Sequence, residues 1–80
     1  MNAAEAQAVK NQLLNSDEGF RQLAEQHHQL DDRLHELTER HYLSTSEQFE
    51  EATLKKRKLA LKDRMEEMAR LYVDTHNNGH

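Results

Sequence analysis

The sequence predicts an all-α fold: an antiparallel two-helix hairpin of coiled-coil character, preceded by a weakly anchored N-terminal helical segment. Its composition favours helix, because it contains eleven leucines and eight alanines but no isoleucine, tryptophan or proline. Apolar residues recur at helical spacing in two long segments. A short segment rich in hydroxyl side chains separates the two, and helices joined by a short connection pack antiparallel.

The first long segment, residues 20–41, carries three consecutive heptads. Its seam side chains alternate in steps of three and four residues: Phe20, Leu23, His27, Leu30, Leu34, Leu37 and His41. This spacing keeps one stripe on one face of a helix. Asn15 or Ser16 is suited to cap the helix start. The pattern predicts a helix over about residues 17–42.

The following segment contains a turn and the start of a second helix. Residues 43–46 include three consecutive hydroxyl side chains, which indicate a turn at about residues 43–45. Ser44 and Glu47 match the capping box, in which each side chain accepts a hydrogen bond from the other residue's backbone amide. A second helix is therefore predicted over about residues 45–73, with a seam formed by Leu54, Lys58, Leu61, Met65, Met68 and Tyr72.

A turn near residue 44 sets the register of the hairpin. Residues that face each other then have numbers that sum to about 88, so Leu34 lies opposite Leu54. The same register brings the acidic first helix beside the basic segment 54–64, with Asp31 and Asp32 near its lysines. A slip by one helical turn is left open.

The chain divides into three parts. Residues 1–14 are predicted to be an N-terminal helical extension, whose Val9 and Leu13 cover one end of the hairpin or become ordered only with a partner. Residues 15–73 form the hairpin, and residues 74–80 are predicted to be a flexible tail.

Charge is unevenly distributed along this chain, whose net charge is −4. Residues 17–53 carry ten acidic side chains against three basic ones, and residues 54–64 carry six basic ones against Asp63 alone. Such asymmetry indicates that one part of the chain packs against another, or that it meets a partner of opposite charge.

The absence of cysteine excludes disulfides, thiolate nucleophiles and Cys-based metal sites, and it fits a reducing compartment. The N-terminus has neither the basic region nor the apolar run of a signal peptide. No segment reaches the roughly 20 apolar residues of a membrane span. We therefore expect a cytoplasmic protein.

Residues along most of the chain match a known family. The matching positions are Leu13-Leu14, Ser16-Asp17, Phe20, Leu23, the run from His27 to Asp31, Leu34, Glu47, Phe49-Glu50 and the run from Leu54 to Asp63. In order and spacing, about residues 12–72 resemble the YdcH-like family of small bacterial proteins, a domain of unknown function. The resemblance implies a helical hairpin of coiled-coil character. It implies no activity, substrate, cofactor or site residue.

Histidine spacing raises the question of a metal site. His28, Asp32 and His35 stand at steps of four and three residues, and such a group on one helix face offers ligands for a divalent ion. A structural site normally has four ligands, and no second cluster supplies the fourth. Solvated surface histidines are the favoured interpretation, and no metal or other cofactor is predicted.

His27 and Lys58 occupy seam positions at about the same level of the hairpin, with Asp31 one turn from His27. A polar residue in an apolar seam fixes helix register or oligomeric state at some cost in stability. One hypothesis is that the three residues form a polar layer that specifies helix pairing. The alternative is that His27 packs at the seam edge while Lys58 extends to water. Unchanged register and oligomeric state in Lys58→Leu would exclude the specificity role.

Two further functions are considered and not favoured. Lys55, Lys56, Arg57 and Lys58 offer charge for phosphate binding, but the chain is net acidic and this segment lacks aromatic residues for stacking. Nucleic-acid binding through residues 55–64 is a weak alternative. An enzyme is not predicted, since there is no phosphate loop, cysteine nucleophile or nucleophile elbow, and two helices do not readily enclose a dry pocket.

A hairpin of this size buries little apolar area and is stabilised by association. Apolar residues off the main seam, including Leu59 and Leu71, favour a homodimer or a complex with a helix of another protein. The leading hypothesis is a protein–protein interaction module that binds a partner helix through the surface around Leu59 and Leu71. The alternative is a metal- or pH-responsive helical protein that uses the histidine group described above.

Overall fold

A computed structural model describes residues 2–77. Over that range the chain forms three helices and no strand: α1 at Ala3–Ser16, α2 at Glu18–Thr38 and α3 at Thr45–Asn77. The molecule is elongated, with principal extents of 56 × 24 × 16 Å. The predicted all-α fold is confirmed, with α2 and α3 forming the most extensive helix pair.

One residue ends α1 and begins α2. Asp17 has an extended backbone; its N–H donates to the Leu13 carbonyl at 2.8 Å, and its carboxylate accepts from the Phe20 N–H at 2.9 Å. The structure therefore makes Asp17 the cap of α2 in place of Asn15 or Ser16. Ser16 is the last residue of α1, and its hydroxyl donates to the Gln12 carbonyl at 2.7 Å.

The connection between α2 and α3 is longer than the sequence predicted, because α2 ends at Thr38 and residues 39–44 cross to α3. The capping box that begins α3 is confirmed. The Glu47 N–H donates to Ser44 Oγ at 3.1 Å, and the Ser44 N–H donates to Glu47 Oε1 at 3.0 Å. Glu47 also pairs with Arg40, which ties the connection to the first turn of α3.

Helix α3 continues to Asn77, past the end that the sequence predicts at about residue 73. The His76 and Tyr72 rings stack with centroids 3.9 Å apart, and His76 Nδ1 lies 2.8 Å from the Tyr72 carbonyl oxygen. These contacts between residues one turn apart accompany helix at residues 74–77, where the sequence predicted a flexible tail. Residues 78–80 of that expected tail lie outside the described part of the chain.

Two apolar clusters hold the helices together. The first joins all three helices through the buried residues Leu13, Phe20 and Ala69, with Val9, Met65, Met68 and Tyr72 packed around them. The second lies near the connection and contains Leu34, Leu37 and Leu54, with Leu30 and Leu43. Leu34 meets Leu54 as the register predicts, and Leu13 and Val9 cover one end of the hairpin.

None of the helices in residues 2–77 is long and apolar enough to cross a membrane.

Candidate interaction surface

The structure brings two residues of the predicted polar layer together. Lys58 on α3 forms an ion pair and hydrogen bond with Asp31 on α2. This contact lowers the pKa of the Asp31 carboxyl below its usual range, with smaller contributions from the charges of His27 and His28. His27 itself is half-buried, one turn before Asp31. The role of these residues in specifying helix pairing stays a prediction.

A second link between α2 and α3 is one that sequence reasoning missed. The Arg33 guanidinium donates from Nε to Glu50 Oε2 at 2.8 Å and from Nη2 to Glu50 Oε1 at 2.9 Å. Both side chains are about one third exposed, and Nη1 of Arg33 also bonds Glu36 at 3.0 Å. The Arg33 contact lowers the pKa of Glu50, so the folded state favours the ionised carboxylate.

This lowered pKa predicts how acid affects stability. The Glu50 contribution is fully present above the ordinary carboxyl value of 4.5 and is lost as pH falls through the lower value of the folded protein. We expect Glu50→Gln to have a lower free energy of unfolding than the unsubstituted protein at pH 7. At acid pH the two free energies of unfolding should become equal. Glu36 pairs with the same arginine but is 63% exposed. Glu36→Gln is therefore the matched control, and it should lower the free energy of unfolding by less. Urea unfolding followed by circular dichroism across pH measures this, and equal losses for both variants would contradict it.

The candidate ligands His28, Asp32 and His35 do not come together as one group. His28 Nε2 lies 3.4 Å from Asp32 Oδ2, whereas His35 Nε2 lies 3.0 Å from Glu39 Oε1, and all four side chains are well exposed. Each imidazole therefore faces the carboxylate four residues further along the chain, and Glu39 lies just past the end of α2. Within residues 2–77, no group of three or more His, Asp or Glu side chains is arranged to hold a metal ion.

The basic segment 54–64 is divided between two sides of the hairpin. One groove between α2 and α3 is lined by Asp31, Leu34, His35, Thr38, Lys55, Lys58, Leu59 and Lys62. A second groove is lined by Gln26, Gln29, Leu30, Arg57, Ala60 and Leu61. Successive helical residues are turned by about 100°, so a run of lysines and arginines cannot share one face. Lys55, Lys58 and Lys62 do share the first groove, but Lys55 and Lys58 already pair with Glu51 and Asp31.

Leu59 and Leu71 are both exposed, at 60% and 53%, but they lie on separate parts of the α3 surface. Twelve residues along a helix correspond to about 18 Å and about 120° of rotation. Leu59 borders the lysine-lined groove, and Leu71 borders a third groove with Leu13, Asp17, Met68, Tyr72, Thr75 and His76. The two leucines therefore do not form one continuous stripe.

The outward side of α3 carries a different row, in which one lysine stands among three apolar residues. Phe49, Ala52, Lys56 and Leu59 follow one another at steps of three, four and three residues, and all four are exposed. Phe49 is 73% exposed, the highest value among the large apolar residues of the described helices. We call these four residues the outer seam. The sequence signal that could have revealed it is a second seam spacing on the same helix, offset from the buried one.

The region that contains most of α2 and α3 also matches a known protein family. The sequence model of a family described as "Protein of unknown function (DUF465)" matches residues 20–69, more than half of the chain. The chain belongs to the DUF465 family. The expected membership in this family of YdcH-like small helical proteins is confirmed. Neither a curated protein nor a solved structure matches the chain.

The DUF465 match contains the features that join α2 to α3. Both the Asp31–Lys58 and the Arg33–Glu50 contacts lie within residues 20–69, as does the whole outer seam. Leu13 and Leu71 lie outside it. The family carries no stated activity, so the function of this member is argued from its surface.

Proposed function

We propose that this DUF465 protein is a cytoplasmic protein–protein interaction module that presents the outer seam of α3 to a partner helix. The observation that carries the proposal is the exposure of Phe49 and Leu59, at 73% and 60%, in seam spacing on one helix. Single exposed apolar residues are common on protein surfaces, but an aligned row is typical of a helix-binding face.

The shape of the hairpin supports this proposal. Helix α3 spans 33 residues and buries its inner side against α2 and α1, so its outer side is available along several turns. A partner helix that packs on the outer seam would remove Phe49 and Leu59 from water, worth about 1.5–3 kcal/mol for each side chain. The absence of cysteine supports a reducing, cytoplasmic setting.

Site-specific photo-cross-linking in the native cell tests the proposal. A photoreactive phenylalanine analogue is placed at Phe49 or at Leu59, with Glu67 as the matched control position. Glu67 is exposed on the same side of α3, five turns beyond Phe49 and outside the outer seam. We expect a discrete covalent adduct from positions 49 and 59 and none from position 67. Equal labelling from all three positions, or no adduct at 49 and 59, would contradict the proposed function.

A further inference from the structure

We propose that α1 is a detachable strap, which opens about Asp17 while α2 and α3 remain paired. In the closed form, α1 lies over one end of the hairpin and packs Leu13 into the cluster that joins the three helices. Opening exposes the apolar surface beneath α1. We call this the covered surface, and it consists of Phe20, Met65, Met68, Ala69 and Tyr72. The inference goes beyond the proposed function, because the covered surface contains no residue of the outer seam.

The apolar contact that holds α1 on the hairpin is small. Leu13, at 5% exposed, is the one buried residue of α1, and of its other apolar residues only Ala6 and Val9 are half-buried. These three residues stand at steps of three and four, so they lie on one face. A helix of 14 residues is marginally stable in water by itself. The structure of α1 therefore depends on this one face.

The contact between α1 and the hairpin is also purely apolar. The side-chain hydrogen bonds of α1 all end within residues 2–16. In residues 2–77 no ion pair joins α1 to another helix, whereas two ion pairs join α2 to α3. Opening the strap therefore leaves no charge without its partner, and it leaves the ionic links between α2 and α3 in place.

Asp17 is suited to be the hinge, because it is the single residue between α1 and α2. Its backbone is extended, with φ −125° and ψ 113°. The bond from its N–H to the Leu13 carbonyl lies on the α1 side of its N–Cα bond, and the bond from the Phe20 N–H to its carboxylate lies on the α2 side. Rotation about φ of Asp17 therefore moves α1 without breaking either bond. Hinges in proteins are typically such residues at the end of an element.

The family match divides the chain at nearly the same place. The DUF465 model begins at Phe20, in the first turn of α2, and includes no residue of α1. The unit that this model describes is the pair of helices α2 and α3. This agrees with a hairpin that stays folded when α1 leaves it.

Opening changes which surface the protein offers to other molecules. Phe20 and Ala69 are 1% and 2% exposed in the closed form, so they are inaccessible while α1 is in place. The covered surface also contains Met65 and Met68, and methionine side chains adapt readily to different apolar partners. The strap thus controls access to a second apolar surface on the hairpin.

Native-state hydrogen exchange of the full-length chain tests whether α1 opens by itself. We expect residues 7–16 to share one protection factor, at least about tenfold below that of residues 65–72, which contain the α3 part of the covered surface and stay helical. Equal protection in the two segments would mean that they open together. Protection that declines steadily from residue 16 to residue 7 would mean that α1 frays from its end. Either result overturns the strap.

Leu13→Glu should hold the strap open, because it places a charge at the buried contact. We expect the hydrophobic dye ANS to bind severalfold more strongly, and far-UV circular dichroism to lose no more than the contribution of α1. Leu14→Glu makes the same change at the neighbouring residue, which is 37% exposed, and should alter neither signal. The proposal is wrong if Leu13→Glu also unfolds α2 and α3, or if the two variants behave alike.

Discussion

Phe20→Ala is expected to lower the free energy of unfolding by about 3–5 kcal/mol, the usual cost of removing a buried aromatic ring. Phe20 is 1% exposed and lies in the cluster that joins all three helices, beside Leu13 and Ala69. Its loss leaves a cavity and also weakens the attachment of α1. A domain's total stability is about 5–15 kcal/mol, so this variant should be largely unfolded under mild denaturing conditions.

Phe49→Ala is the matched control, because it removes the same side chain from a position that is 73% exposed. Both variants are unfolded with urea and followed by circular dichroism at a concentration low enough to keep the chain monomeric. We expect Phe49→Ala to change the free energy of unfolding by no more than about 0.5 kcal/mol. Similar losses for the two variants would contradict the division of α2 and α3 into buried and outward faces.

Leu37→Ala should have the second largest effect, with a loss of about 2–5 kcal/mol. Leu37 is 1% exposed and packs in the cluster near the connection with Leu34 and Leu54. Since this cluster lies next to the six residues that join α2 to α3, its loss should separate the helix ends first. Hydrogen exchange should therefore accelerate most at the last turns of α2 and the first turns of α3.

Leu71→Ala is the control for this second substitution, since Leu71 is 53% exposed. Its free energy of unfolding should differ from that of the unsubstituted protein by no more than about 0.5 kcal/mol under the same conditions. The second cluster does not hold the connection end of the hairpin if Leu71→Ala lowers the free energy of unfolding as much as Leu37→Ala does. The same conclusion follows if hydrogen exchange in Leu37→Ala accelerates uniformly along both helices.

The hairpin register could be predicted because two independent signals agree. The capping box at Ser44 and Glu47 marks where α3 begins, and the heptads of α2 define which side is buried. Together they place Leu34 against Leu54 and Asp31 near Lys58, as observed. Local hydrogen-bond chemistry and apolar spacing are properties of short segments, which is why sequence alone was sufficient here.

Other features depend on contacts that spacing does not reveal. Arg33 and Glu50 have numbers that sum to 83, five short of the register, and they meet because the arginine side chain is long. The last turn of α3 lacks apolar residues, but the stacking of Tyr72 and His76 accompanies its continuation. The outer seam was missed because its four positions include a lysine and an alanine, which weaken the apolar signal.

The mobility of a spin label beside the outer seam tests the central claim most directly. The chain has no cysteine, so one spin label can be attached at an introduced cysteine, either at Thr53 beside the outer seam or at Glu67. A partner helix packed on the outer seam lies about 8–10 Å from the axis of α3 and would restrict a label at position 53. Position 67 lies about 21 Å further along α3, outside the outer seam.

We therefore expect electron spin resonance in an extract of the native cell to show an immobilised label at position 53 and a mobile label at position 67. Equal immobilisation of both labels, or a mobile label at position 53, would contradict binding of a partner helix through the outer seam.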